Sequence, residues 1–123
     1  MEGTAKEIVK MTDASHSLIV TIVRKGWGST VLEASVNAGA RGGTVLIGRG
    51  AGVNEQERIF GVSIEPEKEI LLTVVGTDKV DAILGEIERA AQLDEVGHGI
   101  AFVLPVEKLV GIAHFLAPAQ DRE

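Results

Sequence analysis

Neither cysteine nor tyrosine occurs in this 123-residue chain, and aromatic residues make up 3% of it. The first absence excludes a disulfide framework, thiolate metal ligation and a cysteine nucleophile. It fits a reducing compartment, and a cytoplasmic location is expected. The second leaves the core to aliphatic side chains, since hydrophobic residues still amount to 45%. It also rules out control by tyrosine modification. No apolar run approaches the ~20 residues of a membrane span, so no direct insertion is expected. Met1 to Glu7 lacks the basic start and apolar centre of a signal peptide. A net charge of −6 argues against nucleic acid as a partner. Small anions stay open, because they need only local positive charge.

What the chain has in quantity is glycine, 15 residues in all. Residues 39–52, Gly-Ala-Arg-Gly-Gly-Thr-Val-Leu-Ile-Gly-Arg-Gly-Ala-Gly, concentrate it around one short apolar run. Each glycine inside an element costs roughly 0.5–1 kcal/mol relative to alanine. Two readings fit. One is a helix cap at Gly39, then a strand and a loose loop. The other is a stretch needing tight turns, a close subunit contact or room for an anionic ligand.

The chain length sets one domain, expected over residues 17–117, with a flexible arm at 1–16 and a tail at 118–123. Ser17 to Val23 is apolar and β-branched and reads as a strand. A helix follows, with Ser29 as N-cap, Glu33 in its first turn and Val31, Leu32, Ser35, Val36 and Ala38 as its buried stripe. Gly39 closes it. Thr44 to Ile47 is a second strand. Gly48 to Glu65 reads as a loop or irregular hairpin, extended in its second half. Glu69 to Gly76 is a third strand. Val80, Ile83, Leu84, Ile87, Ala90 and Ala91 form one helical face, with Asp78 as N-cap. Gly97-His98-Gly99 turns into a fourth strand, Ile100 to Val106, and Leu109 to Leu116 reads as a fifth.

Two β-α-β halves about 50 residues apart predict an α+β fold of ferredoxin-like βαββαβ type, an antiparallel sheet with two helices on one face. Two crossover helices cover one face only, yet the strands are apolar on both. Self-association through the uncovered face is the economical expectation, in a closed ring.

The order of elements, Gly42-Gly43-Thr44-Val45, Pro66-Glu67-Lys68-Glu69-Ile70 and the run from Gly97-His98-Gly99-Ile100 to Val106 resemble the PII signal-transduction (nitrogen regulatory) superfamily over roughly residues 17–113. The resemblance implies a homotrimer with adenine nucleotides in the clefts between subunits. It also implies a long loop between the second and third strands that contacts a regulated target, a transporter or a metabolic enzyme. Carried onto this chain, the cleft residues are Thr44, Gly50, Gly52 and Gly97, His98 and Gly99. A Gly-x-Gly turn can present N–H groups to phosphate oxygens. The departures are specific. Ile100 stands where the pattern has a phosphate-binding lysine, Gly111 and Ala113 stand near two arginine positions, and the loop is shorter. Arg49, Arg58 and Lys68 are the available substitutes, with ADP, ATP or AMP as effector and no obligatory cofactor. The target-contacting loop would use Ile59 and Phe60 as an apolar anchor, with Glu55, Glu57 and Arg58 setting specificity.

Each residue also has a plainer reading: Arg49 as a solvated arginine, Lys68 as half of an exposed ion pair, His98 as a polar loop residue, Trp27 as core packing. A lone histidine is no metal site. The competing functions are a trimeric divalent-cation tolerance-type protein and an enzyme in the subunit cleft. No nucleophile or acid–base grouping stands out, so the chain reads as a non-enzyme.

Overall fold

In the computed structural model, the residues described are 15–52, 57–59 and 62–111. The expected arm and tail fall outside them apart from Ser15 and His16, as do Glu55 and Phe60. The elements run β1 (His16–Arg24), α1 (Gly28–Asn37), β2 (Thr44–Arg49), β3 (Glu57–Ile59), β4 (Val62–Ile64), β5 (Glu67–Gly76), a 3₁₀ turn (Thr77–Lys79), α2 (Val80–Ala91) and β6 (Gly99–Pro105). The sheet order is β2-β5-β1-β6, with every neighbour antiparallel. Each half contributes a strand, a crossover helix and a strand that is not its direct neighbour. This is the ferredoxin-like fold.

Alternation along the strands sorts the side chains. Ile19, Thr21 and Val23 of β1 and Leu71, Thr73 and Val75 of β5 are buried beneath the helices, against Val31, Ile83, Ile87 and Ala91. The second helix buries Ile83, Ile87 and Ala91 and leaves Asp81, Glu88, Arg89 and Gln92 exposed, as its period requires. The first helix departs from its expected stripe: Val31, Ala34 and Ser35 are buried, but Val36 is exposed.

The helix starts also differ from expectation. Ser29 does not cap α1, which begins at Gly28 behind Trp27 without any cap from its own side chains. Its first N–H is taken by the Glu69 carboxylate from β5, at 2.7 Å. A cap supplied across 41 residues leaves no local signature. Asp78 likewise makes no capping bond, because it lies in the 3₁₀ turn before α2. Gly39 does follow α1 with φ +123°, and its N–H bonds Val36 O. Within the stretch read as a loop, β3 and β4 pair as a small antiparallel hairpin, Ile59 opposite Val62. Leu109 to Gly111 is not strand, and the rest of the expected fifth strand lies outside the described residues.

The face without helices carries Leu18, Val20, Ile22, Leu46, Ile70, Leu72, Val74, Ile100, Phe102 and Leu104. Phe102 is 40% exposed and Ile100 57%.

Candidate functional site

Four strand termini meet at one end of the sheet. There β1 ends, β5 begins, β2 ends and β6 begins. Register places Gly48, Lys68 and Arg24 in one transverse row on the helix-free face. Val23, the neighbour of Arg24, lies opposite Gly99 across the other edge. Arg24 and Lys68 are thus cations directly across from each other, an arrangement that is unfavourable unless negative charge lies nearby. Lys68 is buried, contrary to an ordinary exposed ion pair, whereas Arg24 is exposed. Lys25 pairs with Glu67 at 3.3 Å, and Lys25 N–H bonds Glu67 O, so this end is held together by side chain and backbone alike.

The Gly97–Gly99 turn reaches the same end from the β6 edge. Gly97 and Gly99 have φ +84° and +142°. At Gly99 a Cβ would be driven into the Ile22 carbonyl, so this glycine is required by strand pairing alone. The histidine between them does not face the cationic row. Its Nδ1 donates to the Ala91 carbonyl at 3.2 Å, and its ring meets Trp27 edge-on, centroids 5.4 Å apart. His98 and Trp27 together pin the turn to the end of α2.

On the opposite edge, Gly50 N–H bonds Pro66 O at 3.1 Å, extending the β2–β5 ladder past Arg49. The Arg49 guanidinium is exposed and donates to Glu65 O at 3.4 Å. Gly52 is exposed just beyond. Thr44 sits at the far end of β2, opposite Leu72, so it lies about 20 Å from Gly50 at ~3.3 Å per residue. The β2 and β6 edges are three strand spacings, about 14 Å, apart. One chain therefore assembles Arg49, Gly50, Lys68 and Gly97–Gly99 at one sheet end. It does not bring Thr44 to them, and the two glycine-rich turns flank the row from opposite edges without converging. Glu57, Arg58 and Ile59 lie on β3. Among the described residues no group of His, Asp or Glu could hold a metal ion.

Arg24 and Glu69 were not singled out by sequence. Only the strand register reveals that Arg24 stands beside Lys68 and that Glu69 reaches the start of α1.

The family model for nitrogen regulatory protein P-II matches residues 16–114. The chain belongs to the P-II family. A solved structure of Arabidopsis thaliana PII bound to citrate is similar at 29% identity, with a TM-score of 0.64, over 82% of this chain and 86% of that one. The P-II family is one of signalling proteins, and its members are trimers that regulate partner proteins. The alternative assignment, to the divalent-cation tolerance type, has no counterpart in this match. No helix among the described residues is long and apolar enough to cross a membrane.

Proposed function

We propose that this protein is a PII-type signalling trimer that binds a small anionic effector between subunits and regulates a target protein, a membrane transporter or a metabolic enzyme, through the loop 48–65. The observation that carries the reading is the Arg24–Lys68 row, flanked by Gly48–Gly50 on one edge and by the Gly97–Gly99 turn on the other. Two cations in one row are suited to a phosphate or carboxylate ligand. They offer positive charge at the sheet end where Ile100 fails to supply it. The Arabidopsis relative is described as bound to citrate, a small polyanion, which supports the same ligand chemistry. Adenine nucleotides remain the proposed effector, with Arg24 and Lys68 as phosphate contacts; Arg49 lies opposite Glu67, on the other face of the same sheet end.

The trimer is supported by the apolar, helix-free face. Burying its half-exposed Leu46, Ile100, Phe102 and Leu104 would contribute roughly 1 kcal/mol each. The distance between Thr44 and the opposite sheet end supports a site completed by a second copy. In that arrangement, Thr44 of one subunit would serve the cleft whose charge comes from its neighbour. Effector binding would then bias the loop and so the encounter with its target, to the extent that it favours one loop state over another.

The test is calorimetric titration of ATP, ADP, AMP and citrate into the wild type and Arg24→Gln, alongside sedimentation. A trimer that binds at least one of these anions, with affinity at least tenfold weaker in Arg24→Gln, is expected. A stable monomer at micromolar concentration, or binding indifferent to Arg24, overturns it. Stabilisation by copper or zinc but by none of the anions would favour the divalent-cation tolerance reading.

A further inference from the structure

The opposite end of the sheet holds a cavity of about 250 Å³ that the proposed effector site does not use. Its lining includes His16 at the start of β1, Arg41 between α1 and β2, and Asp78 and Lys79 in the 3₁₀ turn before α2. His16 and Arg24 end the same strand, so the cavity lies about 26 Å from the Arg24–Lys68 row.

Its walls are tied in place. Thr77 N–H bonds Ser15 O at 2.9 Å, and the Ser17 and Thr77 hydroxyls are 2.9 Å apart. On the other side, Gly39 and Ala40 N–H groups bond Val36 O and Ser35 O. A site held by backbone in this way needs little reorganisation to receive a ligand. The volume is below the ~300–1,000 Å³ of drug-sized pockets and suits a metabolite-sized molecule.

The chemistry of the lining is mixed in a particular way. Arg41 and Lys79 come from separate elements, so their proximity is set by the fold and not by a run of like charges. Lys79 extends back over Gly39, its Nζ 3.9 Å from where a Cβ on that residue would stand. Asp78, its neighbour in the same turn, also lines the cavity, with its Oδ1 near Gly76. Cations bind the anionic end of a ligand, whereas a carboxylate accepts from hydroxyl groups. A simple inorganic anion would use only the first, and a hydroxylated anion uses both.

We propose that this cavity is a second ligand site, complete within one chain, for a small hydroxylated anion whose charged group meets Arg41 and Lys79 and whose hydroxyl meets Asp78. The shared chemistry covers a sugar phosphate and a hydroxycarboxylate, and the probes separate them. The inference does not rest on the trimer or on the effector site.

Amide NMR titration at constant ionic strength tests it, with ribose 5-phosphate, citrate and inorganic phosphate as probes. Saturable shifts at Gly39 to Arg41 and Gly76 to Lys79 are expected with ribose 5-phosphate or citrate. Affinity should fall at least tenfold in the Arg41→Gln/Lys79→Gln double variant. Asp78→Asn should weaken the hydroxylated probe severalfold but not inorganic phosphate, whose binding should hold or tighten as the carboxylate charge is lost. Glutamine keeps the first two methylenes at both cationic positions, and an unchanged amide spectrum elsewhere verifies that the fold is retained. No saturable shift with any probe, or equal affinity in the double variant, overturns the proposal. Adenine-nucleotide binding in the same double variant is read separately, so failure of the effector site leaves this outcome distinguishable.

Discussion

Gly99→Ala should be among the most damaging single-methyl additions the fold can receive. The backbone there has φ +142°, a conformation L-residues rarely adopt, and the new methyl would meet the Ile22 carbonyl with Val23 Cγ1 at 3.1 Å. Backbone strain of this type costs about 1–3 kcal/mol. Overpacking against a neighbour that cannot yield adds about 1–3 kcal/mol. Ile22 cannot easily yield, because β1 is paired on both sides, to β5 and to β6. The expected loss is therefore about 2–6 kcal/mol, a large share of the ~5–15 kcal/mol typical of a domain. At roughly 4–8 °C per kcal/mol for about 100 residues, Tm should fall by at least about 8 °C. Gly97→Ala is the matched control: φ is +84°, but nothing lies within 4 Å of the added methyl, so only backbone strain of about 1 kcal/mol is incurred. Denaturant unfolding of both at one fixed protein concentration, which keeps any association term constant, makes the comparison. A Gly99→Ala loss below about 1 kcal/mol, or one equal to that of Gly97→Ala, would refute the packing argument. It follows that a Gly99 variant with weakened effector binding says nothing about phosphate contact until its stability is known.

Other outcomes follow from particular contacts. Thr21 and Thr73 bury hydroxyls with no partner among the described residues, so Thr21→Val should stabilise by about 1 kcal/mol in urea; a loss would mean that the hydroxyl is bonded. Glu69→Ala removes the acceptor for the first N–H of α1 and should cost about 0.5–2 kcal/mol, with Glu69→Gln retaining most of it. Hydrogen bonding to Arg89, and then its charge, hold the Glu86 carboxyl below its usual range. Any stability from that pair is present above the ordinary carboxylate range and lost as pH falls through the lowered value. Because both groups are exposed, Arg89→Ala should leave the acid-unfolding midpoint in place, and a clear shift would show a stronger coupling. Trp27, the sole tryptophan, contacts His98, so a ligand at the Gly97–Gly99 turn should alter its emission. A ligand that binds by calorimetry with no change in fluorescence would lie elsewhere.

The fold was legible where packing obeys one period. The stripe from Val80 to Ala91 and the apolar runs of β1 and β5 are each dictated by burial beneath a single layer, and each appears within a few residues of its expected limits. The helix starts were not, because their satisfaction is not local. Ser29 follows the sequence rule for a cap, but the helix starts one residue before it, and its first N–H, on Gly28, bonds Glu69 from another strand. Val36 falls off the arc that Val31, Ala34 and Ser35 bury, so it is exposed. The small hairpin in the loop carried only a weak signal, since three-residue strands hardly establish an alternation.

The candidate site was harder to read because glycine answers to two demands at once. Gly99 satisfies a ligand-cradle pattern and a strand-pairing requirement with the same missing side chain, and sequence cannot apportion them. Charge poses the opposite problem. Arg24 has no motif around it, and Lys68 lies between two glutamates, which suggests a solvated surface. Alternation sends Glu67 and Glu69 to the helix-bearing face and Lys68 to the other, where the antiparallel register sets it beside Arg24. Nearest neighbours in sequence are thereby separated, and residues 44 positions apart become a cationic pair. The same alternation places Ile100, where the family pattern has a cation, on the helix-free side, across β1 from Ile70, so positive charge from Arg24 and Lys68 lies on the same surface one row away. A family pattern read position by position records a missing lysine, whereas the sheet carries charge to that surface from two other strands.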